Sequence, residues 1–150
     1  MIRKMQTFAW TASTFVLALA AGPAQASGFS SPSGNIQCFL GGAAGANFAD
    51  RPMVCLIFQA DWPVTAGGGD SDPSCDLDST RTLVLPPDGP AQVSWSCHGD
   101  VFWPAPLGEI SYGAQWSDSV YTCSMATDGV RCENGQGNGF AVRRAARKLY

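Results

Sequence analysis

The chain has 150 residues, with twelve acidic against nine basic side chains and a formal net charge of −3. An acidic balance excludes a nucleic-acid binder, which needs a basic surface to meet phosphates. Six cysteines accompany a single histidine, and no two cysteines have C-x-x-C spacing, so disulfides are expected rather than a zinc site.

Taken in chain order, the first segment reads as an export signal. Arg3 and Lys4 form a positive start, Phe8 to Ala21 is apolar and uncharged, and Gly22-Pro23 precedes Ala24-Gln25-Ala26. That layout predicts a signal peptide, residues 1–26, cleaved after Ala26. The apolar run is too short to span a hydrocarbon core of about 30 Å comfortably, and no second one follows, so no membrane span is expected in the mature chain. Residues 27–150 then form a single disulfide-rich β domain, and all six cysteines lie in it. Between Ser27 and Val142 there are three basic and twelve acidic residues; Arg143, Arg144, Arg147 and Lys148 then crowd into the last eight.

Short apolar runs of period two, broken by glycine and proline, predict an all-β fold: an antiparallel sandwich or barrel built of hairpins. Asn35 to Leu40 reads as a strand carrying Cys38, and Pro52 to Phe58 as a strand carrying Cys55, joined by the Gly- and Ala-rich loop from Gly41 to Asp50. Thr82 to Leu85 and Ala91 to Cys97 read as a hairpin turning at Pro86-Pro87-Asp88-Gly89-Pro90. In its second strand Ala91, Val93, Trp95 and Cys97 share one face. Tyr121 to Met125 and Val130 to Glu133 form another hairpin. Setting Cys123 opposite Cys132 makes Ala126 to Gly129 the connection, with Gly129 in the left-handed region; a two-residue Asp128-Gly129 turn would set Cys123 opposite Asn134 instead. Two cysteine-clamped hairpins follow, and Cys75 and Cys97 are left to pair. The expected bridges are Cys38–Cys55, Cys75–Cys97 and Cys123–Cys132. Gly137 to Val142 reads as a turn entering a last strand. Arg143 to Tyr150 is expected to add one helical turn, with Val142, Ala146 and Leu149 along one side.

Three stretches carry a resemblance. Phe29-Ser30-Ser31-Pro32-Ser33-Gly34-Asn35-Ile36-Gln37-Cys38 opens the mature chain. Cys97-His98-Gly99-Asp100 and Tyr112-Gly113 lie in its middle. Tyr121-Thr122-Cys123, Asp128-Gly129-Val130-Arg131-Cys132 and Gly137-Asn138-Gly139-Phe140 close it. Together they resemble an uncharacterised family of secreted, six-cysteine bacterial domains, over nearly the whole mature chain. The resemblance implies export, disulfides and fold, and no mechanism. Asn138 stands where many relatives have histidine, which argues against an obligatory catalytic or metal-ligating role there.

Candidate chemistry is sparse. Cys97 and His98 are neighbours on a strand and point to opposite faces, so they cannot form a nucleophile–base pair; His98 reads as a turn residue at a strand end. Gly69-Asp70-Ser71 looks like a nucleophile string, but Asp72 follows where glycine or an apolar residue is expected, and His98 is the one base available. Asp70, Asp72, Asp76 and Asp78 alternate around Cys75 as calcium ligands can, yet Cys75 and Arg81 occupy the glycine and glutamate places of an EF-hand loop; a solvated acidic loop is the plainer reading. No catalytic residue, cofactor or metal is expected.

Aromatic and basic residues suggest a partner surface instead. Trp95 belongs to an apolar face. Trp62, Phe102 and Trp103 lie in loops, where aromatics serve either recognition or the edge of a small core. Arg143, Arg144, Arg147 and Lys148 at helical spacing would form one band, either for anionic partners or docked on the acidic body. The expectation is an exported binding or structural module of the cell envelope, in the periplasm or outside the cell. Its partner would be an envelope protein or glycan. An inhibitor of a secreted hydrolase and a small envelope-acting enzyme are the alternatives.

Overall fold

The computed structural model describes residues 27–42, 47–64, 72–99 and 107–150. The expected signal peptide, Asp70, Phe102 and Trp103 lie outside these residues. Among the described residues, ten strands form two antiparallel sheets of five, packed as a sandwich. The first sheet contains β1 (Gly28–Ser30), β2 (Ile36–Leu40), β3 (Met53–Ile57), β4 (Asp78–Leu85) and β5 (Gln92–His98), each beside the next. The second contains β6 (Gln115–Ser117), β7 (Tyr121–Ala126), β8 (Gly129–Asn134), β9 (Gly139–Arg143) and β10 (Ala146–Leu149), again in chain order. Neighbours in sequence are neighbours in space, which is what short turns between strands permit.

Alternation decides which side chains enter the core. In β2, Ile36, Cys38 and Leu40 are buried while Gln37 and Phe39 are half-buried; in β7, Tyr121, Cys123 and Met125 are buried and Thr122 and Ala126 are exposed. The inner faces of both sheets merge into one cluster, from Phe29, Met53, Leu83 and Leu85 on one side to Val130, Phe140 and Val142 on the other.

The three disulfides are the expected ones: Cys38–Cys55, Cys75–Cys97 and Cys123–Cys132. Cys38 faces Cys55 directly across β2 and β3, and Cys123 faces Cys132 across β7 and β8. Their Cα separations of 4.0 and 4.1 Å match the narrow, non-hydrogen-bonded spacing of an antiparallel pair. All four residues are fully buried. The sulphurs of Cys38, Cys55 and Cys132 lie within 4.8 Å of one another, so the bridge of one sheet touches the bridge of the other. Cys75–Cys97 is different. Cys97 is exposed, and the bond ties the loop before β4 to the edge strand β5.

The β7–β8 register follows the cysteines, with Met125 opposite Val130, but the strands run one pair further, to Ala126 opposite Gly129. Gly129 does take a positive φ, 130°. A Cβ there would stand 2.1 Å from the Val142 carbonyl oxygen, so glycine is required both by the turn and by the close approach of β9.

The C-terminal segment departs from expectation. Residues 143–150 form no helical turn; β10 pairs antiparallel with β9, Arg147 opposite Val142 and Leu149 opposite Phe140. Eight residues are too few for an isolated helix to be stable. Pairing instead satisfies the outer edge of β9 and adds Leu149 to the core margin. Tyr150 extends this pairing through two backbone hydrogen bonds with Gly139. Its ring lies where a Gly139 side chain would be: a Cβ on Gly139 would come within 3.0 Å of it.

Buried polar ties join the two sheets. The Tyr121 hydroxyl donates to the Arg51 carbonyl at 2.8 Å, and burial pushes its pKa up to about 12. Asn134 donates from Nδ2 to the carbonyls of Pro86 and Gly89, at 3.1 and 3.0 Å, while its Oδ1 accepts from the amides of Gln136 and Asn138. One side chain thus fastens the end of β8 to the β4–β5 turn.

Among the described residues no helix is long and apolar enough to cross a membrane. Three disulfides point to an oxidising, non-cytoplasmic environment.

Asn134→Ala removes both donors and both acceptor contacts at a buried site. It should lower the unfolding free energy by about 2–3 kcal/mol. Gln136→Ala, at an exposed neighbour, should cost about 0.5 kcal/mol or less. Urea titrations of both variants check the contrast.

Candidate binding groove

Turns on three connections meet at one end of the sandwich. The first is Ser31 to Asn35, between β1 and β2. Gly34 donates its amide to the Ser31 carbonyl and takes φ = 70°, and the Ser31 hydroxyl accepts from the Ile36 amide at 3.1 Å. Asn35 then pairs with the backbone of Gln59 through both ends of its amide, at 2.9 and 2.7 Å. The opening motif therefore folds its own turn and clasps the chain after β3, so its polar groups are structural.

The second turn is Ser111 to Ala114. The Gly113 amide donates to the Met125 carbonyl at 2.8 Å, the Met125 amide donates to the Ala114 carbonyl, and Gly113 has φ = 86°. These bonds hold Tyr112 at the tip of a fixed turn, with half of its surface open to solvent.

The third is the β9–β10 turn at Arg144 and Ala145. Two hydrogen bonds to its carbonyls anchor it to the chain after β3: the Trp62 indole N–H donates to the Arg143 carbonyl at 3.0 Å, and the Asp61 amide donates to the Arg144 carbonyl at 2.8 Å. Arg143 and Arg144 remain exposed on this anchored backbone. Arg144 Nε also lies 3.4 Å from the Asp61 carboxylate, both largely in solvent, a contact of small energetic weight.

Between these turns and the β7–β8 turn runs an open groove of about 480 Å³, lined by Ser33, Tyr112, Thr127, Asp128, Arg143 and Arg144 above a floor that includes Ile36 and Met125. Arg143 and Asp128 also line a second hollow of about 460 Å³ on the outer face of β8–β10, together with Arg131 and Lys148. The two hollows adjoin, with Ala126, Asp128, Gly129 and Arg143 lining both. Arg131 is paired with Glu133 at 2.6 Å and its guanidinium lies over the Tyr150 ring at 4.5 Å; the Glu133 hydrogen bond raises its pKa.

The expected partner residues are thus separated. Trp62 is buried and takes no part in an exposed surface. Its ring has the guanidinium of Arg147 at 5.3 Å and that of Arg81 at 5.9 Å, and Arg81 lies 5.1 Å from Trp95 in turn. Desolvated cation–π contacts of this kind outweigh exposed ones. Nor do the four cations form one band. Strand geometry sets Arg147 on the inner side with Val142, where it donates to the carbonyls of Pro63 and Val64. Lys148, opposite Ala141, points outward with Arg143. Of the four cations Arg147 docks on the body, while Arg143, Arg144 and Lys148 face solvent. Tyr112 and Asp128 complete the groove; Tyr112-Gly113 and Asp128-Gly129 stand out in the sequence, but nothing there joins them.

His98 ends β5 rather than forming a turn, and its Nε2 is 2.8 Å from Thr80 Oγ1. Cys97 is in its disulfide. The carboxylate of Asp72 accepts from the amide and hydroxyl of Ser74, which holds its pKa below the usual range. Comparison with known proteins adds no relative: no family model, curated protein or solved structure matches the chain.

Trp62→Phe keeps an aromatic ring, though a smaller one, but loses the bond to Arg143, and should cost about 1 kcal/mol. Trp62→Ala should cost about 3–5 kcal/mol by opening a cavity between the sheets. Chemical unfolding of the two variants checks the order.

Proposed function

We propose that this is an exported, non-catalytic binding module of the cell envelope, acting in the periplasm or outside the cell. Export rests on the N-terminal signal pattern and on the three disulfides. The observation that carries the binding reading is the anchored turn. Three backbone–backbone hydrogen bonds and one from the Trp62 indole, two at Gly113-Ala114 and two at Arg143-Arg144, fix an exposed aromatic and two exposed cations along one groove. Surface loops are ordinarily mobile. Ordering them in advance reduces the entropy lost when a partner binds.

The test is sedimentation of the purified exported protein with isolated envelope fractions. Wild type should co-sediment, and a Tyr112→Ala, Arg143→Ala double variant should lose most of the bound fraction while keeping its melting temperature. Equal sedimentation of the two proteins would refute the groove as the binding site, and no sedimentation of either would refute the module.

A further inference from the structure

We infer that the groove takes a carboxylate-bearing oligosaccharide, one whose sugar units carry acid groups along a linear chain. The inference rests on the binding-module reading and names its ligand. Three features of the groove select this chemistry.

Tyr112 offers a half-exposed ring on a turn pinned to β7. An amphipathic ring presented rigidly matches the apolar face of a sugar, and orders few degrees of freedom when it is covered.

Cations and an acceptor stand together. Arg143 and Arg144 can each grip a carboxylate with two parallel N–H donors, while Asp128 in the same groove accepts hydrogen bonds from hydroxyls. A surface built for phosphate alone gains nothing from a carboxylate in its lining. A ligand with both acid groups and hydroxyls uses both.

The positive region is a strip. From Arg143 it continues to Lys148 on the outer face of β8–β10, ending at the Arg131–Glu133 ion pair, on a body with twelve acidic and three basic residues between Ser27 and Val142. That body repels a broad anionic sheet such as a lipid surface, whereas a slender chain meets the cations without approaching the rest. The groove's volume of about 480 Å³ lies within the range of small-ligand sites, roughly 300–1,000 Å³.

The experiment is titration calorimetry of the purified exported protein with three probes: an oligogalacturonate hexamer, a neutral maltohexaose, and vesicles containing phosphatidylglycerol. The acidic hexamer should bind at least about tenfold more tightly than the neutral one, a difference of one good charge-assisted contact. Its affinity should fall as salt is raised from 50 to 500 mM. Tyr112→Ala and Arg143→Ala should each weaken it about tenfold, with Arg143→Lys recovering part of the loss. Both positions are on the surface, and unchanged melting temperatures would show that the variants fold. Equal affinity for the two hexamers, binding of vesicles without the acidic hexamer, or acidic binding indifferent to Tyr112 and Arg143 would each overturn the inference. If envelope sedimentation depends on those two residues but the acidic hexamer does not bind, the ligand class is wrong and the binding module stands. If neither occurs, both fail.

Discussion

The Cys38–Cys55 and Cys123–Cys132 bridges sit at facing positions on the two sheets, and the sulphurs of Cys38, Cys55 and Cys132 lie within 4.8 Å of one another at the centre of the core. Each bridge joins directly opposed residues of adjacent strands, so each fixes the register of a sheet whose side chains would change faces on a one-residue slip. Their mutual contact then fixes the sheets against each other. A sandwich of short strands has little core per residue, and covalent links offset that by limiting the unfolded chain. The remaining apolar residues, from Phe29 to Val142, pack around this pair.

Polar ties extend the registration to both ends. Asn134 fastens β8 to the β4–β5 turn at one end. At the other, Trp62 reaches Arg143 across 81 residues of sequence, Arg147 reaches Pro63 and Val64, and Tyr112's turn is bound to Met125. The groove lies at this second end, so its shape is set by the same bonds that close the sandwich. Rigid presentation of Tyr112 and Arg143 is therefore a consequence of the fold. That links packing to the proposed binding role.

Much of the fold was legible because cysteine spacing and period-two alternation constrain each other. Cys123 and Cys132 fixed the β7–β8 register, and the same reasoning paired Cys38 with Cys55. Three-residue strands such as β1 and β6 leave no signal in the sequence, since three residues carry no readable period. The sequence of β10 reads as a helical turn because Val142, Ala146 and Leu149 fall at helical intervals by coincidence; in the sandwich Val142 and Leu149 face inward and Ala146 sits opposite Arg143. Trp62 reads as a loop aromatic with a choice of roles, and in the fold it packs against Arg81 and Arg147, which no local pattern connects to it. For the same reason the groove was out of reach. Its cations were visible as a basic tail, but their meeting with Tyr112 and Asp128 needs three turns folded to one end.

The central claim is that the two buried bridges act as one unit joining the sheets. Urea unfolding of four proteins tests it most directly: wild type, Cys38→Ala with Cys55→Ala, Cys123→Ala with Cys132→Ala, and all four substitutions together. Because the bridges touch, the combined loss of stability should fall short of the two separate losses added together by about 0.5–3 kcal/mol. Losses that add to within about 0.3–0.5 kcal/mol would show two independent staples, and would contradict the account.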